Sequence, residues 1–170
     1  IEREGGPERC AKPFAPERDV AGLYHGRGND NEWGQRYASI LDDIMGKAFD
    51  VIRRSYDRAC QVEYAGAVSG LSHGSVENFW LGLRSAFPSA TFAIHHRIGR
   101  HDPMMPPRAA IRWSLTGKHD GWGMFGPPTG APVHVMGISH AEFGPWGLRR
   151  ECALVDEVAI WKQIRLHTGT

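Results

Sequence analysis

The apolar residues of "SVENFWLGLRSAFPSATFAIHHRI" change period across a single proline. Val76, Phe79, Trp80, Leu83 and Phe87 recur at i, i+3, i+4, i+7 and i+11, the spacing of one helix face. Ser72 or Ser75 is placed to cap that helix, and Pro88 stops it. Beyond it Phe92, Ile94, His96 and Ile98 alternate with Thr91, Ala93, His95 and Arg97, the period of a strand. A segment that must bury one helical face and then one strand face needs a helix packed on a sheet.

The flanks extend this pattern. Trp33, Tyr37, Ile40, Leu41, Ile44 and Met45 follow helical spacing, with Asp30 or Asn31 available as cap and Gly46 as stop. Residues 48–56 read as a second, short helix. Downstream, "RAAIRWSLTG", "PVHVMGISHAEF" and "LRRECALV" read as strands, and "DEVAIWKQIRLH" as a closing helix that Asp156 can cap. Helices followed by antiparallel strands argue an α+β domain, with the helices on one face of a curved sheet. Residues 1–31, rich in Gly, Pro and charge, read as an irregular N-terminal arm, and residues 32–170 as the domain. No internal repeat is visible.

Composition narrows the function classes. A net charge of +1 over 170 residues, with no basic stripe, argues against nucleic acid as partner. The arginines of "RRSYDR" and "LRRE" read as exposed charges. The three cysteines form no CxxC, so neither a disulfide framework nor a zinc knuckle is expected, and reduced thiols fit a cytoplasmic protein. No apolar run reaches membrane-spanning length, and the first thirty residues lack the apolar centre of a signal peptide. No glycine-rich phosphate loop follows a strand, so no nucleotide is expected.

The stretch "TGKHDGWGMFGPPTGAPVHVMG" joins two of the strands. Gly126 and Gly130 permit unusual backbone angles there, and Pro127 and Pro128 set φ. Trp122, Met124 and Phe125 are too large and apolar for a solvated turn. Either they fold over a cavity, or the loop packs on its own side chains.

Residues 108–164 carry a resemblance. Gly117-Lys118-His119, then Gly126-Pro127-Pro128-Thr129-Gly130, then Asp156…Gln163-Ile164 is similar to the pattern of the SnoaL-like polyketide cyclase family, within the nuclear transport factor 2-like superfamily. "MGKAFDVIRRSY" and "SGLSHGSVENFWLGLRSAFPSATF" extend it collinearly, so that it covers roughly residues 33 to 166. The resemblance implies a cone-shaped α+β barrel, its curved antiparallel sheet wrapped around the N-terminal helices, with a deep apolar pocket between them. It also implies frequent dimers through the outer sheet face. The family's acid/base aspartate falls at Ala153, its supporting histidine at Ser139, a glutamine at Gly137 and an asparagine near Glu63.

Strand parity indicates what could replace that aspartate. Residues two apart share a face, so if position 153 faces the pocket, Glu151 does too. Glu63 and Glu151 then become the candidate acid/base pair, because a carboxylate in an apolar pocket is held protonated towards neutral pH. The competing reading is structural: Glu151 paired with Arg112 or Arg149, and Glu63 with Arg58. His119 is a candidate hydrogen-bond or catalytic partner, or a tie between strand end and loop. Ser139, Trp80, Trp113, Met124 and Phe125 are candidate substrate contacts, and Trp80, Phe87, Phe92, Trp113 and Trp161 are otherwise core. His134 and His140 fall on the outer parity. The adjacent His95 and His96 should face opposite ways, and no metal site is expected. Two functions follow. One is a cofactor-independent cyclase, isomerase or hydrolase acting on an apolar cyclic substrate. The other is a non-catalytic pocket or dimer module that binds an apolar small molecule or stabilises a partner domain. A homodimer through the outer sheet face is expected in either case, with Val133 to Glu142 contributing.

Overall fold

A computed structural model describes residues 26–169. The first 25 residues of the expected arm lie outside the described residues. Helices α1 (Glu32–Met45) and α2 (Asp50–Ser55) come first, followed by strands β1 (Tyr56–Tyr64) and β2 (Val68–Leu71). Helix α3 (Ser72–Ala86) leads into β3 (Thr91–Arg100), β4 (Arg108–Lys118), β5 (Pro132–Gly144) and β6 (Gly147–Val155), and α4 (Glu157–Thr168) closes the chain. The strands form one curved, unclosed sheet in the order β2-β1-β6-β5-β4-β3. Its concave face wraps α1 and α3, which gives the expected α+β cone.

In the strands, sequence and structure differ at three places. The β1–β2 hairpin is absent from the pattern reading, because Arg58, Gln61 and Glu63 mask the buried alternation of Cys60, Val62 and Tyr64. The sheet is also not wholly antiparallel: β1 returns beside β6 in parallel, setting Val62 opposite Glu151 and Tyr64 opposite Ala153. Last, β3 carries an irregularity between Ile94 and His96. His96 then pairs with Arg112 while His95 meets Ser114 Oγ at 2.7 Å, so both histidines find partners of the same β4 parity, contrary to expectation.

The caps follow local chemistry. Asn31 Oδ1 accepts from Trp33 N at 3.0 Å to start α1, and Asp156 Oδ1 accepts from Ala159 N at 2.9 Å to start α4. Neither Ser72 nor Ser75 caps α3. Leu71 holds the N-cap position, and Ser75 Oγ instead donates back to the Leu71 carbonyl at 2.9 Å. The buried Arg84 guanidinium donates to the carbonyls of Met45, Phe87 and Ala90, tying the end of α1 to that of α3.

The Gly-Pro loop of residues 119–131 is a strap across α3. Gly121 N donates to Ala86 O and Met124 N to Gly82 O. A Cβ on Gly123 would lie 2.4 Å from Gly82 O, so only glycine allows this approach. Phe125 is buried against Phe87 and Trp161, whereas Trp122 points into solvent. Gln163 completes the sheet. Strand β6 ends at Val155, opposite Gly137, so the first part of β5 has no strand on that side. There the Gln163 side chain accepts from His134 N at 2.7 Å and donates to His134 O at 3.1 Å.

Inside the cone the fully buried Trp113 lies over Gly137, where an added Cβ would sit 2.1 Å from the indole ring. Gly137→Ala should therefore destabilise the fold by about 3 kcal/mol, the upper end for overpacking a core. Urea unfolding checks this; an unchanged midpoint would show that the indole moves without cost.

Candidate functional site

Glu151 is fully buried on the concave face of β6. Its row of the sheet explains how it fits there. Across the strands it is flanked by Ala141 and Ala109 on one side and by Val62 and Gly70 on the other. These short side chains leave a trough into which α1, α3 and β1 project larger ones. Tyr37 Oη of α1 donates to Glu151 Oε2 at 2.9 Å, and Tyr56 Oη of β1 donates to the same oxygen at 2.5 Å. Tyr64 Oη of β1 donates to Oε1 at 2.6 Å, and Trp80 Nε1 of α3 donates there at 2.9 Å. Each carboxylate oxygen thus receives two donors, a full complement.

Among the described residues no cation takes part. Arg149 points the other way and pairs with Glu142 at 2.5 Å, so neither arginine expected beside Glu151 is among its hydrogen-bond partners. Burying an unpaired carboxylate is costly. Four hydrogen bonds to a charged group, each worth about 1.5–3 kcal/mol, offset that cost. Burial nevertheless prevails and holds the carboxyl above its ordinary range, although all four donors pull it down. The same burial, reinforced by the Glu151 charge, raises Tyr37, Tyr56 and Tyr64 above the usual phenol value, so all three stay protonated donors.

Further buried side chains stand behind these donors. Trp113 Nε1 donates to Ser139 Oγ at 2.9 Å, and the Ser139 side chain stands near enough to Tyr37 to favour its ionised form slightly. Trp113 and Ser139 thus stand behind Tyr37, which bonds the carboxylate. Ala153 lies between Ser139 and Tyr64 in the adjacent row and adds only a buried methyl.

The expected site residues separate. Glu151, Trp80, Ser139 and Trp113 gather inside the cone. Glu63 does not join them: it is exposed on the convex face, with Cys152 Sγ 3.8 Å from its Oε2. No ion pair with Arg58 forms among the described residues. Glu63 and Glu151 therefore do not share a cavity, because parity puts the two on opposite faces of adjacent strands. Met124 is part-exposed and Phe125 buried, both in the strap and away from Glu151. His119 is fully buried at the root of that strap. Its Nδ1 meets Thr129 Oγ1 at 3.0 Å, its carbonyl accepts from Thr129 N and Gly130 N, and its N–H donates to Ala131 O. Burial lowers its pKa, which keeps the ring neutral. This is the tie between strand end and loop.

The three tyrosines were not legible as site residues. Tyr37 reads as one more core position on α1, Tyr56 as the end of the short second helix although it opens β1, and Tyr64 sits in the unread strand. The available signal was scarcity: the chain has four tyrosines, and three of them converge on one carboxylate. Surface grooves run beside β3, along α4 and around the β1–β2 hairpin, and Glu151 lines none of them. Among the described residues no group of His, Cys, Asp or Glu could hold a metal ion, and no helix is long and apolar enough to cross a membrane.

No family model matches the sequence, and no curated protein matches it. Solved structures do match the fold. IdmH, a candidate polyketide cyclase from Streptomyces antibioticus, superposes with a TM-score of 0.64 at 15% identity, covering 79% of this chain and 99% of its own. A candidate SnoaL-like polyketide cyclase from Jannaschia sp. CCS1 gives 0.63 at 14% identity, covering 80% of this chain and 96% of its own. AclR, a candidate hydroxylase from Streptomyces galilaeus, gives 0.58 at 15% identity over 76% of this chain and 81% of its own. The chain has the SnoaL-like, nuclear transport factor 2-like cone fold.

The raised carboxyl sets a pH dependence. A carboxyl whose folded pKa lies above its unfolded value binds more protons when folded, so its contribution to stability is present at acid pH and is lost as pH rises through the folded pKa. Urea unfolding across a pH series should show wild type losing stability upward from the ordinary carboxylate range, with that component absent in Glu151→Gln. The opposite slope would mean that the four donors outweigh burial.

Proposed function

We propose that this SnoaL-like domain is a cofactor-independent acid/base catalyst acting on an apolar, cyclic carbonyl compound, with Glu151 as the proton-transferring group. One observation carries the reading: a cation-free carboxylate on the concave face, raised by burial and ringed by protonated tyrosines. Perturbed carboxyls of this kind concentrate at functional sites. The Glu151 carboxylate takes a proton from carbon next to a carbonyl. The electron pair of the broken C–H bond moves onto the carbonyl oxygen, where a tyrosine hydroxyl donates a hydrogen bond. The enolate carbon then either regains the proton at another position or attacks a second carbonyl to close a ring, and protonated Glu151 returns its proton to the resulting alkoxide. Trp113 and Ser139 back Tyr37 for this step, and the aromatic side chains packed around Glu151 would suit a flat ligand admitted beside it. The SnoaL-like neighbours support the substrate class.

A second reading, a non-catalytic module, is favoured by a specific observation: all four acceptor positions of Glu151 are taken, and the position of the family aspartate is Ala153. In that case the cluster is a polar pin within the core, and the exposed Met136, Ile138 and Leu154 on the convex face serve a homodimer.

The two readings part experimentally. With turnover found by screening cyclic β-keto esters and polyketide intermediates, Glu151→Gln should lower kcat by ~10²–10⁴-fold. Glu63→Gln, on the far face, should leave it unchanged. Unchanged turnover in Glu151→Gln removes it from the mechanism, and reversible apolar binding without turnover supports the module. Under either reading, sedimentation at micromolar concentration should show a dimer that Ile138→Arg dissociates; a monomeric wild type refutes that interface.

A further inference from the structure

Glu151 is sealed, yet any chemistry at it needs a way in, and one side of the seal is weakly built. Strand β2 is a four-residue edge strand whose one strand partner is β1, tied to α3 by the Ser75 hydroxyl on the Leu71 carbonyl, and its Val68 and Leu71 are exposed. Both of its ends sit on non-glycine residues in the left-handed region, Ala67 at φ 58° and Ser72 at φ 72°. Such angles are disfavoured for residues with a Cβ and persist only where the surroundings impose them. The helix that follows begins without a side-chain cap. The strand also lies in the right place, since Gly70, Val62 and Glu151 occupy one concave row, the first at the rim and the last at the acid. Gly70 leaves that rim low, and the space a Cβ would take is filled by Ser75 of α3. Beyond it Phe79 stacks on Tyr64 at 4.0 Å beside the carboxylate's own donors, and both rings also meet Trp80.

We infer that β2 is a gate. It swings about Ala67 and Ser72, separates Gly70 from Val62 and opens the concave face from the sheet edge, so that solvent or a flat ligand reaches the Glu151 cluster without global unfolding. Access at this edge deepens the catalytic reading, but the motion is testable without any substrate.

Gln61 and Leu71 are opposed, exposed residues of β1 and β2. Opposed Cα atoms ~4.5–5.5 Å apart fall within disulfide range. Gln61→Cys/Leu71→Cys, oxidised, should therefore lock the gate. The probe is hydrogen exchange of the Trp80 indole N–H, which donates to Glu151, followed by NMR and assigned through Trp80→Phe. Relative to the same variant reduced, the crosslink should slow this exchange at least tenfold while leaving the amide exchange of Ile111 and Val135, in central strands, unchanged. Equal slowing at all three sites, or none at Trp80, overturns the gate. The two proposals fail separately. Indole exchange through the gate with full turnover in Glu151→Gln refutes only the catalysis, and lost turnover with indole exchange only on global unfolding refutes only the gate.

Discussion

A carboxylate buried without a cation must be met by neutral donors from every side. Glu151 recruits them from α1, β1 and α3, and this single requirement fixes how the helices sit in the cone. If α1 slid by a turn, Tyr37 would leave the oxygen it shares with Tyr56. If β1 paired elsewhere, two of the four donors would go with it. A buried acceptor left short of donors costs far more than a poor apolar contact, so the cluster specifies one arrangement where greasy packing alone would tolerate several.

The sheet is shaped to receive this cluster. Small residues on both sides of Glu151 open a trough, and Gly99, whose added Cβ would collide with Gly34 N, lets α1 approach β3 closely. The parallel return of β1 beside β6 brings Tyr56 and Tyr64 to the acid. Two further devices hold the shape without touching the site. The strap pinned by His119 and Thr129 crosses the end of α3, and the Gln163 amide stands in for the missing part of β6. Motifs that drew attention in the sequence for their unusual residues thus serve the scaffold, while three of the donors that meet the buried carboxylate are tyrosines that looked ordinary.

What the chain determined locally is what depends on neighbours in sequence. The helical spacing of Val76, Phe79, Trp80 and Leu83, the stop at Pro88, the alternation beyond it, and the caps at Asn31 and Asp156 each follow from a few consecutive side chains, and each is realised in the structure. Parity along β6 tied Glu151 to the face of position 153, which the family resemblance set towards the pocket, and both are buried on the concave face. Only tertiary structure decided the rest. Whether Glu63 shares that interior depends on which way β1 faces beside β6, and the pairing that settles it joins residues 89 positions apart. The meeting of Tyr37, Tyr56 and Tyr64 on Glu151 spans separations of 114, 95 and 87. No periodicity carries such a relation, because a hydrogen bond within a core is selected by the packing of whole elements rather than by the spacing of residues along any one of them.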